Sequence, residues 1–154
     1  MPTHSEKRRL PYTAEQMYDL VADVESYPDF LPWTAAARIR SRRPTDIGEV
    51  MEADLVISFK LFREKFGSRV TLVPEQGRID TEYIDGPFRH MHARWQFRDL
   101  DGGGCEVAFF VDFEFRNRVF QRLIGVVFNE AMQRIVGAFE RRAAQLYGST
   151  NAAR

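Results

Sequence analysis

The last long segment, from Asn117 to Tyr147, constrains the fold of this chain most. Phe120, Ile124, Val127, Phe128, Ala131, Ile135, Ala138, Phe139 and Leu146 recur at three- and four-residue steps, so they share one face of a helix. Arg122, Gln133, Glu140 and Arg141 fall mostly opposite. At the standard rise such a helix of roughly 30 residues is about 45 Å long. Asn117 is suited to cap its start, and Gly148 stands where a left-handed residue would end it. Val119, Leu123, Val126 and Val127 make the first half apolar nearly all round. That half is expected to be covered on more than one side, by protein or by a bound apolar molecule.

The preceding chain supplies the other layer. Residues 3 to 11 read as a strand ended by Pro11, and Thr13 with Gln16 forms a capping box for a helix carrying Met17, Leu20, Val21 and Val24. Pro28 is expected to stop that helix, leaving Tyr27 to Pro32 as a turn or a short second helix. From Ala35 onward, about six strands alternate apolar and polar residues, with turns at Pro44 to Gly48, Pro74 to Gly77, Asp85 to Pro87 and Asp101 to Gly104. Short turns imply antiparallel neighbours. An antiparallel sheet curled around the final helix is the expected α+β packing, with residues 1 to 148 as one domain and 149 to 154 as a frayed tail.

Lys plus Arg and Asp plus Glu both total 22, so net charge gives no argument for nucleic acid. Thirteen Phe in 154 residues fit either a large core or a roomy apolar cavity. With one Cys there is no intramolecular disulfide, and no stretch has the apolar length of a membrane span. A soluble, cytoplasmic protein is expected, with membrane contact at most peripheral.

This element order resembles the helix-grip fold of the START-like (Bet v 1-like) superfamily. The run from Gln16 to Trp33, QMYDLVADVESYPDFLPW, resembles the N-terminal signature of the coenzyme-Q-binding START-domain family. Asp85-Gly86-Pro87-Phe88 with Trp95-Gln96-Phe97 is similar to its middle motif. Asp112 to Phe115, Gly125 to Phe128 and Ala138 to Ala143 are similar to its last one. A Cys often follows the tryptophan in that family; here the residue is Thr34. The resemblance implies a cavity between sheet and long helix that holds a polyprenyl quinone such as ubiquinone, with no resident metal or redox group. It implies a carrier or chaperone supporting respiratory electron transport rather than an enzyme. The same family includes ribosome-association toxins, so translation inhibition through a ribosomal subunit is the alternative. Under this reading Tyr27, Phe30, Leu31 and Trp33 form the cavity mouth. Strand parity and helix phase then place Leu55, Ile57, Phe59, Trp95 and Phe113 on the sheet side, with Leu123, Val127, Phe128 and Met132 on the helix side.

Other chemistry finds little support. His90 and His92 share a strand face but lack a third ligand at metal spacing, and Cys105 has no partner motif. Asp112 and Glu114 read as surface carboxylates, and Gly102 to Gly104 joins two strands without the helix that a phosphate loop needs. No nucleophile with its base is apparent, which leaves a polyketide-cyclase-like enzyme unsupported. Arg38, Arg40, Arg42 and Arg43 suit either phosphate binding or an exposed strand face. Phe59 to Phe66 reads either as a packed strand pair or as a hairpin dipping Phe62 and Phe66 into a membrane surface.

Overall fold

The computed structural model describes residues 3–59 and 62–148, without the side chains of Phe59 and Phe62. Strand β1 (Thr3–Leu10) leads into helix α1 (Ala14–Ala22). The Thr13 hydroxyl accepts from the Gln16 N–H, and the Gln16 side chain accepts from the Thr13 N–H, the reciprocal cap read from the sequence. Such a cap contributes about 1 kcal/mol. α1 ends at Ala22, earlier than Pro28, and a 3-10 turn over Val24–Asp29 contains that proline. Strands β2 (Thr34–Thr45), β3 (Gly48–Phe59), β4 (Phe62–Val73), β5 (Arg78–Asp85), β6 (Phe88–Asp99) and β7 (Cys105–Phe115) follow, then helix α2 (Arg118–Ala143).

The strands form one antiparallel sheet in the order β1-β7-β6-β5-β4-β3-β2. Parity falls as the alternation requires. Met51 and Ala53 of β3, Trp95 and Phe97 of β6, and Val107, Phe109, Val111, Phe113 and Phe115 of β7 are buried on the face toward α2. At the β5–β6 turn Gly86 has φ 136°, and a Cβ there would stand 2.6 Å from the Phe66 Cβ, so the turn needs glycine.

α2 begins as expected, with the Asn117 side chain accepting from the Phe120 N–H at 3.0 Å. Its end differs. The chain leaves α2 through a π-helical turn over Ala144–Gly148, and Gly148 is not left-handed; it is buried, with room for a Cβ only 3.3 Å from that of Ala144. The second half packs tightly through Val136, Ala138, Phe139 and Ala143. The first half is not covered all round. Val119, Leu123 and Val126 stand 70%, 62% and 84% exposed, because the sheet reaches only one side of the helix.

Two surface readings resolve into ion pairs. On edge strand β2, Arg40 binds Asp54 at 2.6 Å and Arg42 binds Glu49 at 3.0 Å, so half of the arginine cluster is engaged across the β2–β3 ladder. On the outer face of the sheet, His90 lies 3.1 Å from Asp112 and Arg89 3.6 Å from Glu114. The membrane hairpin reading is corrected in part. Phe66 is buried, edge-on to Phe88 at 5.2 Å, so its ring is not presented to a surface. Lys60, Leu61 and the side chain of Phe62 lie outside the described residues.

Candidate functional site

Beneath α2, from Phe120 to Ile135, the sheet and helix separate around a cavity of about 400 Å³. The sheet contributes Ile57, Phe66, Phe88 and Met91, and β7 contributes Phe109, Val111, Phe113 and Phe115. α2 closes the other side with Phe120, Ile124, Val127, Ala131, Met132 and Ile135. Pro32, Trp33 and Thr34, at the entry to β2, complete the wall. The aromatic rings meet mostly edge to face: Phe88 lies 5.5 Å from Phe113, and Phe115 lies 4.6 Å from Phe120. This geometry holds the wall in one arrangement without filling the space it encloses.

Among the described residues, the polar side chains of the lining are Thr34, Glu130 and Arg134, with the Trp33 indole N–H. Glu130 and Arg134 are exposed and pair at 3.3 Å one helical turn apart, so they form a rim. An apolar body fits the interior, and a polar head finds hydrogen-bonding partners at that rim or at the half-buried Thr34 hydroxyl beside Trp33. General acid–base chemistry would have to use these solvated rim groups. Among the described residues, no three His, Cys, Asp or Glu side chains gather as a metal would require. Cys105 is buried at the start of β7, where burial, with Asp99 adding, pushes its thiol up to about 11. That makes it a poor nucleophile.

Of the residues assigned to a ligand by parity and phase, Trp33, Ile57, Phe113, Val127 and Met132 line the cavity. The others lie elsewhere. Tyr27 and Phe30 each sit 5.3 Å from Phe139, with the Arg142 guanidinium over the Phe30 ring, and the Tyr27 hydroxyl donates to the Val21 carbonyl. They pack against the end of α2, just before the wall residues Pro32 and Trp33. Trp95 is 4.4 Å from Phe109 and 5.0 Å from Phe139, so it is core beneath the second half of α2. Phe128 packs on Phe113 at 4.9 Å and edge-on to His4 at 6.4 Å. Leu31 and Leu55 are half-buried against the core, Leu123 points outward, and the side chain of Phe59 lies outside the described residues.

For Tyr27, Phe30 and Trp95 the cause is Phe139, which brings the end of α2 down onto them, while the cavity lies under the stretch from Phe120 to Ile135. Phe109, Val111 and Phe115 share strand parity with Phe113, and Phe120 and Ile124 share the phase of the helix face, so the sequence carried a signal for them. Nothing local marked Phe88, which follows a turn, as a wall residue.

Trp33 has φ 62°, the one non-glycine residue with positive φ among those described. Its carbonyl accepts from the Ser58 N–H at 2.8 Å, which ties the strained segment to β3.

Residues 10–140 match the family described as polyketide cyclase / dehydrase and lipid transport. The chain is 39% identical over 140 residues to a ribosome association toxin of Rickettsia prowazekii, covering 89% of this chain and 92% of that one. It is 32% identical over 149 residues to the mitochondrial coenzyme Q-binding protein COQ10 homolog B of Xenopus laevis, covering 94% of this chain and 59% of that one. An 18 kDa protein of Caulobacter crescentus, solved in solution, superimposes with a TM-score of 0.79 at 31% identity, covering 96% of this chain and 99% of that one. With a curved antiparallel sheet gripping a long C-terminal helix, and this match over most of its length, the chain belongs to the polyketide cyclase / dehydrase and lipid transport family of START-like proteins.

Proposed function

We propose that the protein binds a polyprenyl quinone of the ubiquinone class in this cavity and acts as its carrier or chaperone in support of respiratory electron transport, without redox chemistry of its own. The observation that carries the reading is an aromatic chamber of about 400 Å³ whose charged lining, among the described residues, is the exposed Glu130–Arg134 pair at its rim. A quinone matches that division. Its isoprenoid tail is apolar throughout, and its carbonyl oxygens accept hydrogen bonds of the kind the Arg134 guanidinium donates. Because the rim is open to solvent, a tail longer than the chamber has somewhere to go. The coenzyme Q-binding name of the Xenopus relative supports the assignment.

Ala131 separates a ligand chamber from a packing defect. It is 7% exposed and faces the cavity from α2. Ala131→Trp places an indole in the space a ligand would occupy. Organic extracts of the parent are expected to contain ubiquinone, and extracts of Ala131→Trp little or none. Melting temperatures of the lipid-stripped proteins are expected to agree within a few degrees, since filling empty space avoids the overpacking cost of about 1–3 kcal/mol. A parent that carries no quinone and takes none up from detergent micelles defeats the proposal.

A second reading is association with a ribosomal subunit, favoured by the ribosome association toxin name of the Rickettsia relative. Its surface would draw on Arg38 and Arg43, since Arg40 and Arg42 are already paired with Asp54 and Glu49. Sedimentation with ribosomal subunits that Arg38→Glu/Arg43→Glu abolishes would establish it.

A further inference from the structure

We infer that the outward face of the first half of α2 docks on an anionic lipid bilayer. Val119, Leu123 and Val126, at i, i+4 and i+7, form one stripe on that face, each more than half exposed. Such a stripe disfavours the solvated monomer unless something apolar covers it.

The charges beside it identify the cover. From Phe115 to Asn129 the chain carries Arg116, Arg118 and Arg122 and no acidic residue. All three arginines are exposed, and neither Arg118 nor Arg122 forms an ion pair among the described residues. Their place also opposes the helix dipole, which favours carboxylates in the first turn, where α2 has none. Anions supplied from outside satisfy both conditions. A two-fold partner copy would bring arginines against arginines and is disfavoured. Nucleic acid would answer the arginines but leave the valines and Leu123 uncovered. A bilayer with anionic headgroups answers both, with phosphates at the guanidinium groups and acyl chains at the stripe.

The stripe also runs into the cavity. Val127 is 39% exposed and lines the chamber, one helical position from Val126. Around α2 the apolar surface therefore passes from the outer face, through Val127, to Phe120 and Ile124 on the inner one. Docking by this face would set the cavity wall against the bilayer. The inference goes beyond quinone binding and would hold for any apolar ligand.

Flotation with vesicles tests it. The parent is expected to float with phosphatidylcholine vesicles containing phosphatidylglycerol, to bind phosphatidylcholine alone weakly, and to be released by salt. Val119→Ser/Val126→Ser removes two side chains that do not line the chamber, in exchange for a residue of similar helix propensity. It is expected to lower affinity for mixed vesicles about ten-fold or more with an unchanged melting temperature. Arg118→Gln/Arg122→Gln keeps the stripe and is expected to lower affinity roughly thirty-fold on mixed vesicles and little on phosphatidylcholine. Quinone uptake from detergent micelles by the serine pair, equal to the parent's, separates this result from the cavity assignment. A parent that does not float, or a serine pair that floats as the parent does, overturns the inference. So does a parent dimer that the serine pair makes monomeric, since the face then belongs to a second copy.

Discussion

At the scale of single residues, two positions carry measurable consequences. Cys105 is neutral in the fold because burial raises its thiol from the ordinary 9.0 to about 11. Below pH 9 both folded and unfolded chains hold the proton, and the contribution of the buried thiol is complete. Between pH 9 and 11 the unfolded chain ionises first, so that contribution falls as pH rises. The stability difference between the parent and Cys105→Ala, measured by denaturant unfolding, is therefore expected to shrink across this window; a constant difference would contradict the burial argument. Trp33 is the second position. A bulky side chain at φ 62° carries strain that glycine would not. Trp33→Ala and Trp33→Gly both lose the ring, but only the alanine keeps the left-handed penalty. The glycine variant is expected to be the more stable of the two by about 1 kcal/mol in chemical denaturation.

Among the elements, α2 repays attention because its two halves do different things. The phase of its apolar face was readable from Phe120 to Phe139, and so were its start and approximate length. What the sequence did not reveal was which arc of the first half would be covered, since Val119, Leu123 and Val126 are as apolar as the residues that face the chamber. Coverage depends on how far the sheet curls, a property of all the strands together. Nor did periodicity show that Phe139 would bring the end of α2 onto Tyr27, Phe30 and Trp95. Gly125 belongs to the looser half, and a Cβ there would meet nothing within 4 Å. With no steric reason for glycine at an interior helical position, Gly125→Ala is expected to stabilise the protein by about 0.5–1 kcal/mol, read as a shift in denaturation midpoint at constant slope. A destabilised alanine variant would mean that the backbone of α2 bends there in a way glycine alone permits.

For the whole molecule, the strand pattern made the layer arrangement legible, because alternation and short turns from Ala35 to Phe115 leave few topologies to choose from. The placement of β1 was not legible, since Leu10 is the one apolar residue of an otherwise polar and charged segment. β1 pairs with β7, and β2 occupies the opposite edge, so consecutive strands bracket the sheet. This order has a consequence for how the molecule comes into being. A chain emerging from its N-terminus makes β1 first, yet the partner of β1 is synthesised roughly a hundred residues later, about 5–20 s at ordinary rates of elongation. The hairpins from β2 to β7 can close locally as they appear, while β1 waits and the apolar face of the sheet stays open until α2 arrives. The chamber is thus the last part of the protein to exist, and before α2 is made the nascent sheet presents its aromatic face to whatever surface lies nearest.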